Sequence, residues 1–96
     1  MQKPIRPTLT SIQERFFEAL DMAIAAGQCN LKSFCEKHGL NRVKYSNIRS
    51  EMRNPENAKP TNYKIIDLDA LYYLCNDYGI SAKWLLTGKG KMTCKR

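Results

Sequence analysis

Small hydrogen-bonding side chains recur at helical spacing between residues 42 and 53 of the sequence. At 3.6 residues per turn, one face of a helix there carries three polar residues and one methyl-bearing residue, namely Val43, Ser46, Asn47 and Ser50. The opposite face is apolar and consists of Tyr45, Ile48 and Met52. Four cations flank the polar face: Arg42, Lys44, Arg49 and Arg53. Such side chains exchange hydrogen bonds rather than perform covalent chemistry, and their chemistry suits the floor and walls of a DNA groove.

Two short helices must position these residues. The sequence predicts one helix over residues 31–38 and another over residues 42–52. Gly39, between them, can adopt a left-handed conformation without a steric penalty, so the chain can turn there. Asn41 is predicted to accept a hydrogen bond from the free N–H groups that open the second helix. Two helices joined this tightly form a helix-turn-helix.

Excess positive charge is concentrated around this helix pair. The 96 residues carry a net charge of +7, and the length suffices for one domain with a single modest core. Residues 1–29 hold three basic and three acidic side chains, residues 30–64 hold eight against three, and residues 65–96 hold five against three. A surface that faces phosphates needs its cations close by, so this distribution favours a polyanionic partner.

No constellation for catalysis, a metal or a cofactor is recognisable, and we expect a protein that is not an enzyme. The cysteines are Cys29, Cys35, Cys75 and Cys94. They lack C-x-x-C spacing and nearby histidines, so we expect neither a zinc site nor a disulfide framework. Reduced cysteines on apolar helix faces pack as small hydrophobes, which predicts a cytoplasmic location. The lone His38 is predicted to lie on the surface or to pack at a helix end. Neither a signal peptide nor a membrane span is recognisable.

Capping signals divide the rest of the chain into helices. The first helix is predicted to begin at Thr10 or Ser11, because Thr10-x-x-Gln13 and Ser11-x-x-Glu14 both match a capping box. It stops at Gly27, and the nine residues before it are predicted to form a flexible N-terminal arm.

Four further signals complete this division of the chain. Asn30 is predicted to cap the second helix, Asp67 a fourth and Ser81 a short fifth that ends at Gly88. A loop is expected over residues 54–64 and a loose lysine-rich tail from residue 89. The apolar side of the fourth helix is predicted as Leu68, Leu71, Leu74, Cys75 and Tyr78. One core is expected to contain Phe16, Leu20, Phe34, Leu40, Ile48, Leu71, Leu74 and Trp84.

Two segments resemble one known family. Residues 34–40, FCEKHGL, followed by VKYSNI at 43–48, resemble the helix-turn-helix core of the lambda-repressor-like family of phage repressors and Cro proteins, often called XRE. YGISAKWLLTG at 78–88 resembles the segment that joins the fourth and fifth helices in the same family. The resemblance spans roughly residues 12 to 90. It implies an all-α, compact five-helix DNA-binding domain over residues 10–90, followed by a basic tail at 91–96.

The resemblance also implies roles for particular residues. Bases would be read by Arg42, Val43 and Asn47, with Lys44 and Ser46 beside them, from a recognition helix in the major groove. Phosphates would be held by Asn30, Ser50, Asn54, Asn57 and Lys59. An arginine can bond guanine, an asparagine adenine, and a valine methyl can meet the thymine methyl. The chain departs from the family pattern at Leu31, where glutamine is common, and at Arg49, where glutamate is common. These departures concern one phosphate contact and one internal ion pair.

Two functions from different classes follow. The first is sequence-specific binding of double-stranded DNA by a small transcriptional regulator, of the repressor type found in phages, mobile elements and toxin–antitoxin operons. The alternative is a protein–protein interaction module that keeps the fold without specific DNA binding. The uncharged polar face favours the first, since a protein interface would present aromatic and aliphatic anchors. A helix-turn-helix reads few base pairs, so we expect a weak homodimer or pairing on DNA, through the fifth helix or the N-terminal arm.

Overall fold

Five helices follow one another in the computed structural model, which describes residues 7–53 and 65–93. They are α1 (Pro7–Ala25), α2 (Leu31–His38), α3 (Arg42–Arg53), α4 (Leu68–Tyr78) and α5 (Ala82–Thr87). Within those ranges the β-type pairing is limited to an isolated bridge between Ile80 and Thr93. The predicted all-helical class with five helices is confirmed for this part of the chain.

α1 begins at Pro7, three residues before the predicted start. Proline is common at the first position of a helix, where a missing N–H costs no hydrogen bond. The capping box predicted at Thr10 and Ser11 is therefore wrong, and residues 7–9 belong to the helix rather than to an arm. Gln13, which the pattern assigned to that cap, is instead buried, and its Oε1 accepts a hydrogen bond from the Ile66 N–H at 2.9 Å.

An aromatic cluster on α1 joins the first three helices. The Phe16 ring lies 6.1 Å from that of Phe34 on α2 and 6.0 Å from that of Tyr45 on α3, measured between centroids. Five of the eight predicted core residues are buried, namely Phe16, Leu20, Phe34, Ile48 and Leu74. The other three, Leu40, Leu71 and Trp84, are partly buried and pack against the core. Among the aromatic and long aliphatic side chains that are at most 1% exposed, the predicted core omitted Tyr45, Ile80 and Leu85.

The segment after α5 folds back onto the domain. The Ser81 N–H donates to the Met92 carbonyl at 2.8 Å, and Met92 packs against the core. Ser81 also caps α5 as predicted, because its Oγ accepts from the Trp84 N–H at 3.2 Å. The prediction of a loose tail is thus wrong for residues 89–93, while residues 94–96 lie outside the described residues.

A side chain from α1 binds the C-terminal end of α5. The Arg15 guanidinium donates from Nε to the Leu85 carbonyl at 2.8 Å and from Nη2 to the Leu86 carbonyl at 3.1 Å. These are carbonyls that a helix leaves without partners in its last turn. Gly88 ends the helix with φ 75°, and a Cβ there would approach Arg15 Nη1 to 3.1 Å. The first and last helices are thereby fixed to each other.

Candidate nucleic-acid interface

A three-residue turn sets α3 against α2. Gly39 adopts the left-handed conformation with φ 69°, and the Leu40 N–H donates to the Cys35 carbonyl at 2.8 Å. Asn41 Oδ1 accepts from the Lys44 N–H at 3.1 Å, which is the predicted cap of α3. The predicted pair of helices and its turn chemistry are confirmed.

α3 has one buried face and one exposed face. Tyr45 and Ile48 are 0% and 4% exposed, whereas Val43 on the opposite side is 61% exposed. Arg42, Ser46 and Ser50 are also exposed, and Asn47 is half-buried. Val43, Ser46, Asn47 and Ser50 thus lie on one surface, as the helical spacing predicted, with Arg42 exposed beside them. Lys44, the fifth residue predicted to read bases, is partly buried.

Asp67 binds the α4 side of α3. The Tyr45 hydroxyl donates to Asp67 Oδ2 at 2.8 Å and accepts from the Asp67 N–H at 2.8 Å. Lys44 Nζ lies 3.3 Å from Asp67 Oδ1. The hydrogen bond from Tyr45 does most to lower the pKa of Asp67, burial opposes it, and Lys44 adds to the lowering. Burial raises the pKa of Tyr45 well above its ordinary value, so its hydroxyl stays protonated and keeps donating.

The contacts of Asp67 contradict the predicted side-chain cap of α4 and bear on the predicted base-reading role of Lys44. Asp67 occupies the N-cap position of α4, but its side chain makes no capping hydrogen bond, because it is engaged with α3. The Lys44 ammonium is directed to Asp67 and lies 5.9 Å from the centroid of the Tyr45 ring. To contact DNA, Lys44 would have to leave a carboxylate.

Asp21 on α1 binds the opposite flank of α3. Its Oδ1 lies 3.1 Å from Arg49 Nη1, and its Oδ2 lies 2.6 Å from Arg53 Nη2. Arg49, where the resemblance implies a glutamate, therefore pairs with a carboxylate of α1. Among the described residues, Arg42 is the one α3 cation that no carboxylate holds.

The N-terminus of α2 carries a complete capping box. Asn30 Oδ1 accepts from the Ser33 N–H at 2.8 Å, and the Asn30 N–H donates to Ser33 Oγ at 3.0 Å. The prediction that Asn30 caps α2 is confirmed. Its N–H, Oδ1 and carbonyl are engaged, so an acceptor arriving from outside would meet the first-turn amides of Leu31 and Lys32 or the Asn30 Nδ2 donor.

The remaining predicted phosphate contacts divide into two groups. Ser50 is exposed on the same face of α3 as Val43. Asn54, Asn57 and Lys59 lie outside the described residues, as does the rest of the predicted loop.

Segments 34–48 and 78–88 carry the resemblance to lambda-repressor-like proteins. No family model, curated protein or solved structure matches this chain. Membership of that family therefore stays a prediction, and the candidate site is judged by its own geometry. That geometry is an exposed polar helix face, fixed to α1 and α4 by carboxylates on both flanks.

His38 belongs to a second polar cluster, which joins α2 to α4. Its ring stacks on Tyr73 at 3.9 Å between centroids with an interplanar angle of 4°, and its Nε2 lies 2.7 Å from Asp77 Oδ2. Lys37 Nζ approaches the same oxygen at 3.2 Å. Burial alone would raise the pKa of Asp77, but the hydrogen bonds from His38 and Lys37 outweigh it and the pKa is lowered. His38 packs at a helix end, as predicted.

α4 exposes large apolar side chains that the helical pattern assigned otherwise. Leu68, predicted on the apolar inner side, is 85% exposed, and Tyr72 is 62% exposed. Ile65, just before the helix, is 43% exposed. Ala70 and Leu74 are fully buried instead, so the inward face of α4 is rotated away from Leu68.

Cysteines and acidic residues provide no metal site in the ranges that the structure describes. Cys35 is fully buried, Cys29 and Cys75 are partly buried, and none of the three forms a disulfide. No group of three or more His, Cys, Asp or Glu residues there could hold an ion. None of the described helices has the length and apolar character needed to cross a membrane.

Sequence reasoning missed the three carboxylates that fix the helix pair, Asp21, Asp67 and Asp77. Each binds a residue at least 22 positions away in sequence. The nearest signal was the pair Arg49 and Arg53, four residues apart on one helix flank, since such a pair can converge on one acidic residue.

Proposed function

We propose that this chain is a lambda-repressor-like domain that binds double-stranded DNA sequence-specifically, as a small transcriptional regulator of the repressor type. α3 is its recognition helix and lies in the major groove. The observation that carries the proposal is the exposed face of α3: small polar side chains, one exposed methyl-bearing Val43 and the uncommitted cation Arg42.

The chemistry of that face suits base edges. The Arg42 guanidinium offers two parallel donors for guanine O6 and N7, and the Asn47 amide can pair with adenine N6 and N7. Val43 is apolar and exposed, which suits contact with a thymine methyl. Ser46, exposed on the same face, accompanies them.

Other groups bind the phosphates of the DNA backbone in this proposal. The Ser50 hydroxyl and the first-turn amides of Leu31 and Lys32 bind phosphates, because a helix N-terminus favours anions. Lys44 is left out of the base-reading set, because Asp67 already binds its ammonium. Arg49 and Arg53 act as positioning residues that fix α3 to α1 through Asp21.

Selection of bound duplexes from a random pool tests the proposal, followed by titrations on the selected site and on random duplex. Arg42→Ala and Asn47→Ala should each cost about 1–3 kcal/mol on the selected site and little on random duplex. Ser50→Ala should weaken both duplexes alike, since phosphate contacts carry no sequence information. Lys83→Ala, on the exposed side of α5, is the matched control for loss of a positive charge. If Arg42→Ala and Asn47→Ala leave affinity and site preference unchanged, α3 does not read DNA.

A protein–protein interaction module is the second candidate, and the exposed Leu68 and Tyr72 favour it. The salt dependence of duplex binding distinguishes the two functions. Phosphate binding releases counterions, so the affinity for random duplex should fall steeply between about 50 and 200 mM salt. A wild-type chain that binds no duplex at low salt would favour the second candidate.

A further inference from the structure

Leu68 and Tyr72 form an apolar stripe on α4, and Ile65 lies exposed just before the helix; we call these three residues the α4 stripe. Leu68 and Tyr72 are four positions apart within the helix, so their side chains share one side. Ile65, Leu68 and Tyr72 are 43%, 85% and 62% exposed. Single exposed apolar residues are ordinary on protein surfaces, whereas a contiguous set marks a contact surface.

The α4 stripe is held in a defined conformation. The Tyr72 ring meets that of Tyr73 edge-on, at 5.7 Å between centroids, and Tyr73 in turn stacks on His38. A ring fixed before binding loses little conformational freedom when a partner covers it. The stripe is therefore prepared for contact with another molecule.

The charge around the α4 stripe argues for a second copy of the chain. Residues 65–82 contain no lysine or arginine, although the chain carries a net charge of +7. Among the described cations, Lys44 and Lys37 contact this segment and are bound by Asp67 and Asp77, whereas Lys64, next to Ile65 in the sequence, lies outside the described residues. Two copies of so basic a protein repel each other wherever their cations meet, and they repel least along this surface. The same lack of cations makes it unsuited to nucleic acid.

The α4 stripe also begins beside the recognition helix. Asp67 lies between Ile65 and Leu68 in the sequence and is bonded to Tyr45 in α3. Two copies that pair along the stripe would therefore be connected through α4, which is bonded to α3. This connection would hold the two recognition helices at a set spacing. A set spacing is what recognition of paired half-sites requires.

We propose that the α4 stripe is the surface through which two copies of this chain pair when bound side by side on DNA. The pairing on DNA rests on the proposed function. A stable interface buries about 800 Å² of surface on each partner, and three side chains cover far less, so pairing in free solution is weak. DNA raises the effective concentration of neighbouring copies and makes the weak contact effective. This differs from the sequence prediction, which assigned pairing to α5 or the N-terminal arm.

Leu68→Ser tests the surface, and Leu86→Ser is the matched control. Leu86 is 50% exposed on α5, so both changes remove an exposed leucine and neither opens the core. Leu68→Met keeps the apolar contact and should behave like the wild type. Thermal unfolding of each variant verifies that the fold is retained.

The first measurement is sedimentation equilibrium without DNA, at protein concentrations up to about 1 mM, the range of very weak association. We expect the wild type and Leu86→Ser to self-associate weakly, and Leu68→Ser to need about tenfold more protein or to stay monomeric. A wild type that is monomeric throughout overturns the proposal unless DNA restores pairing in the second measurement.

The second measurement compares a duplex that holds one selected half-site with a duplex that holds two. Leu68→Ser should bind the single half-site like the wild type but lose the cooperative gain on two, which Leu86→Ser should keep. Loss of the gain in Leu86→Ser alone would assign pairing to α5 and overturn the proposal. If the wild type binds no duplex, the proposed function fails, and sedimentation alone decides: equal association of wild type and Leu68→Ser overturns the α4 stripe.

Discussion

The exposed faces of α3 and α4 meet at one carboxylate and have opposite chemistry. The α3 face presents small polar groups beside Arg42, whereas the α4 stripe presents Leu68 and Tyr72 without a nearby basic residue in its own segment. Asp67 connects them, because its side chain binds α3 while its backbone precedes α4. A polar face and an apolar face thus lie on neighbouring helices and are connected through one carboxylate.

The largest effect should come from breaking the connection between the two faces. Tyr45→Phe removes the hydroxyl that donates to Asp67 and leaves the Asp67 N–H without its acceptor. We expect a loss of about 1–3 kcal/mol in the free energy of unfolding, the usual cost of an unpaired buried polar group. Tyr72→Phe is the control, since it removes an exposed hydroxyl from the stripe and should cost almost nothing. Urea denaturation of both variants measures the difference, and equal stabilities would show that the Tyr45 hydroxyl has no such role.

A smaller effect is expected from releasing the arginines of the α3 flank. Asp21→Asn should lower the free energy of unfolding by roughly 0.5–1 kcal/mol, because these ion pairs are partly exposed. Freed Arg49 and Arg53 should bind random duplex more tightly and steepen its salt dependence by up to about two units. Asp69→Asn removes the same charge from exposed α4 and frees no arginine, so its salt slope should stay unchanged. A slope for Asp21→Asn equal to that of Asp69→Asn would mean that the arginines never reach phosphates.

Acid should weaken the connections that fix both faces. The pKa values of Asp67 and Asp77 lie below the ordinary 3.8 in the folded protein. A lowered folded-state pKa means that each carboxylate contributes stability above the unfolded-state pKa, and the contribution is lost as pH falls from about 3.8 through the folded-state value. Denaturant unfolding from pH 7 down to about pH 2 should show this decline. The double variant Asp67→Asn with Asp77→Asn should be less stable at pH 7 and should decline less, and an unchanged decline would exclude these two groups as its source.

The smallest effect should follow changes at the centres of the two faces. Val43→Ser and Leu68→Ser alter side chains that are 61% and 85% exposed, so the free energy of unfolding should change by no more than about 0.5 kcal/mol. Phe34→Ser changes a buried side chain and should greatly lower the stability in the same thermal melts, which shows that the measurement detects a structural loss. A large loss of stability in Val43→Ser or Leu68→Ser would mean that its face is structural rather than free for a partner.

Local chemistry made much of the fold predictable from the sequence. The Asn30 and Asn41 caps and the left-handed Gly39 depend on neighbours within a few residues, and all three occur as predicted. The capping-box pattern at Thr10 and Ser11 predicts the start of α1 wrongly, whereas Pro7 marks it, because proline is favoured at the first position of a helix. Patterns of short range thus gave the elements and most of their ends.

The surroundings of the candidate site were less predictable because they depend on contacts between distant residues. Nothing near Lys44 in the sequence indicates that Asp67, 23 residues later, binds its ammonium. The exposure of Leu68 could not be predicted for a similar reason. The helical period predicts that α4 has an apolar side, but the packing of Ala70 against the core determines which residues of that side face inward. The tertiary structure is therefore needed to decide, to within about one residue, which side of a helix faces the core.

The bond from Arg15 to the carbonyls of Leu85 and Leu86 also bears on how the protein is made. Those carbonyls lie 70 and 71 positions after the arginine. During translation, α1 is synthesised well before the α5 segment that its Arg15 binds. Until α5 is in place, the side of α1 that packs against it is uncovered, and exposed apolar surface of this kind lets nascent chains associate with chaperones or with one another. Slow translation of the α5 codons would prolong that exposure, whereas rapid completion of the segment would let α1 close the domain in a single step.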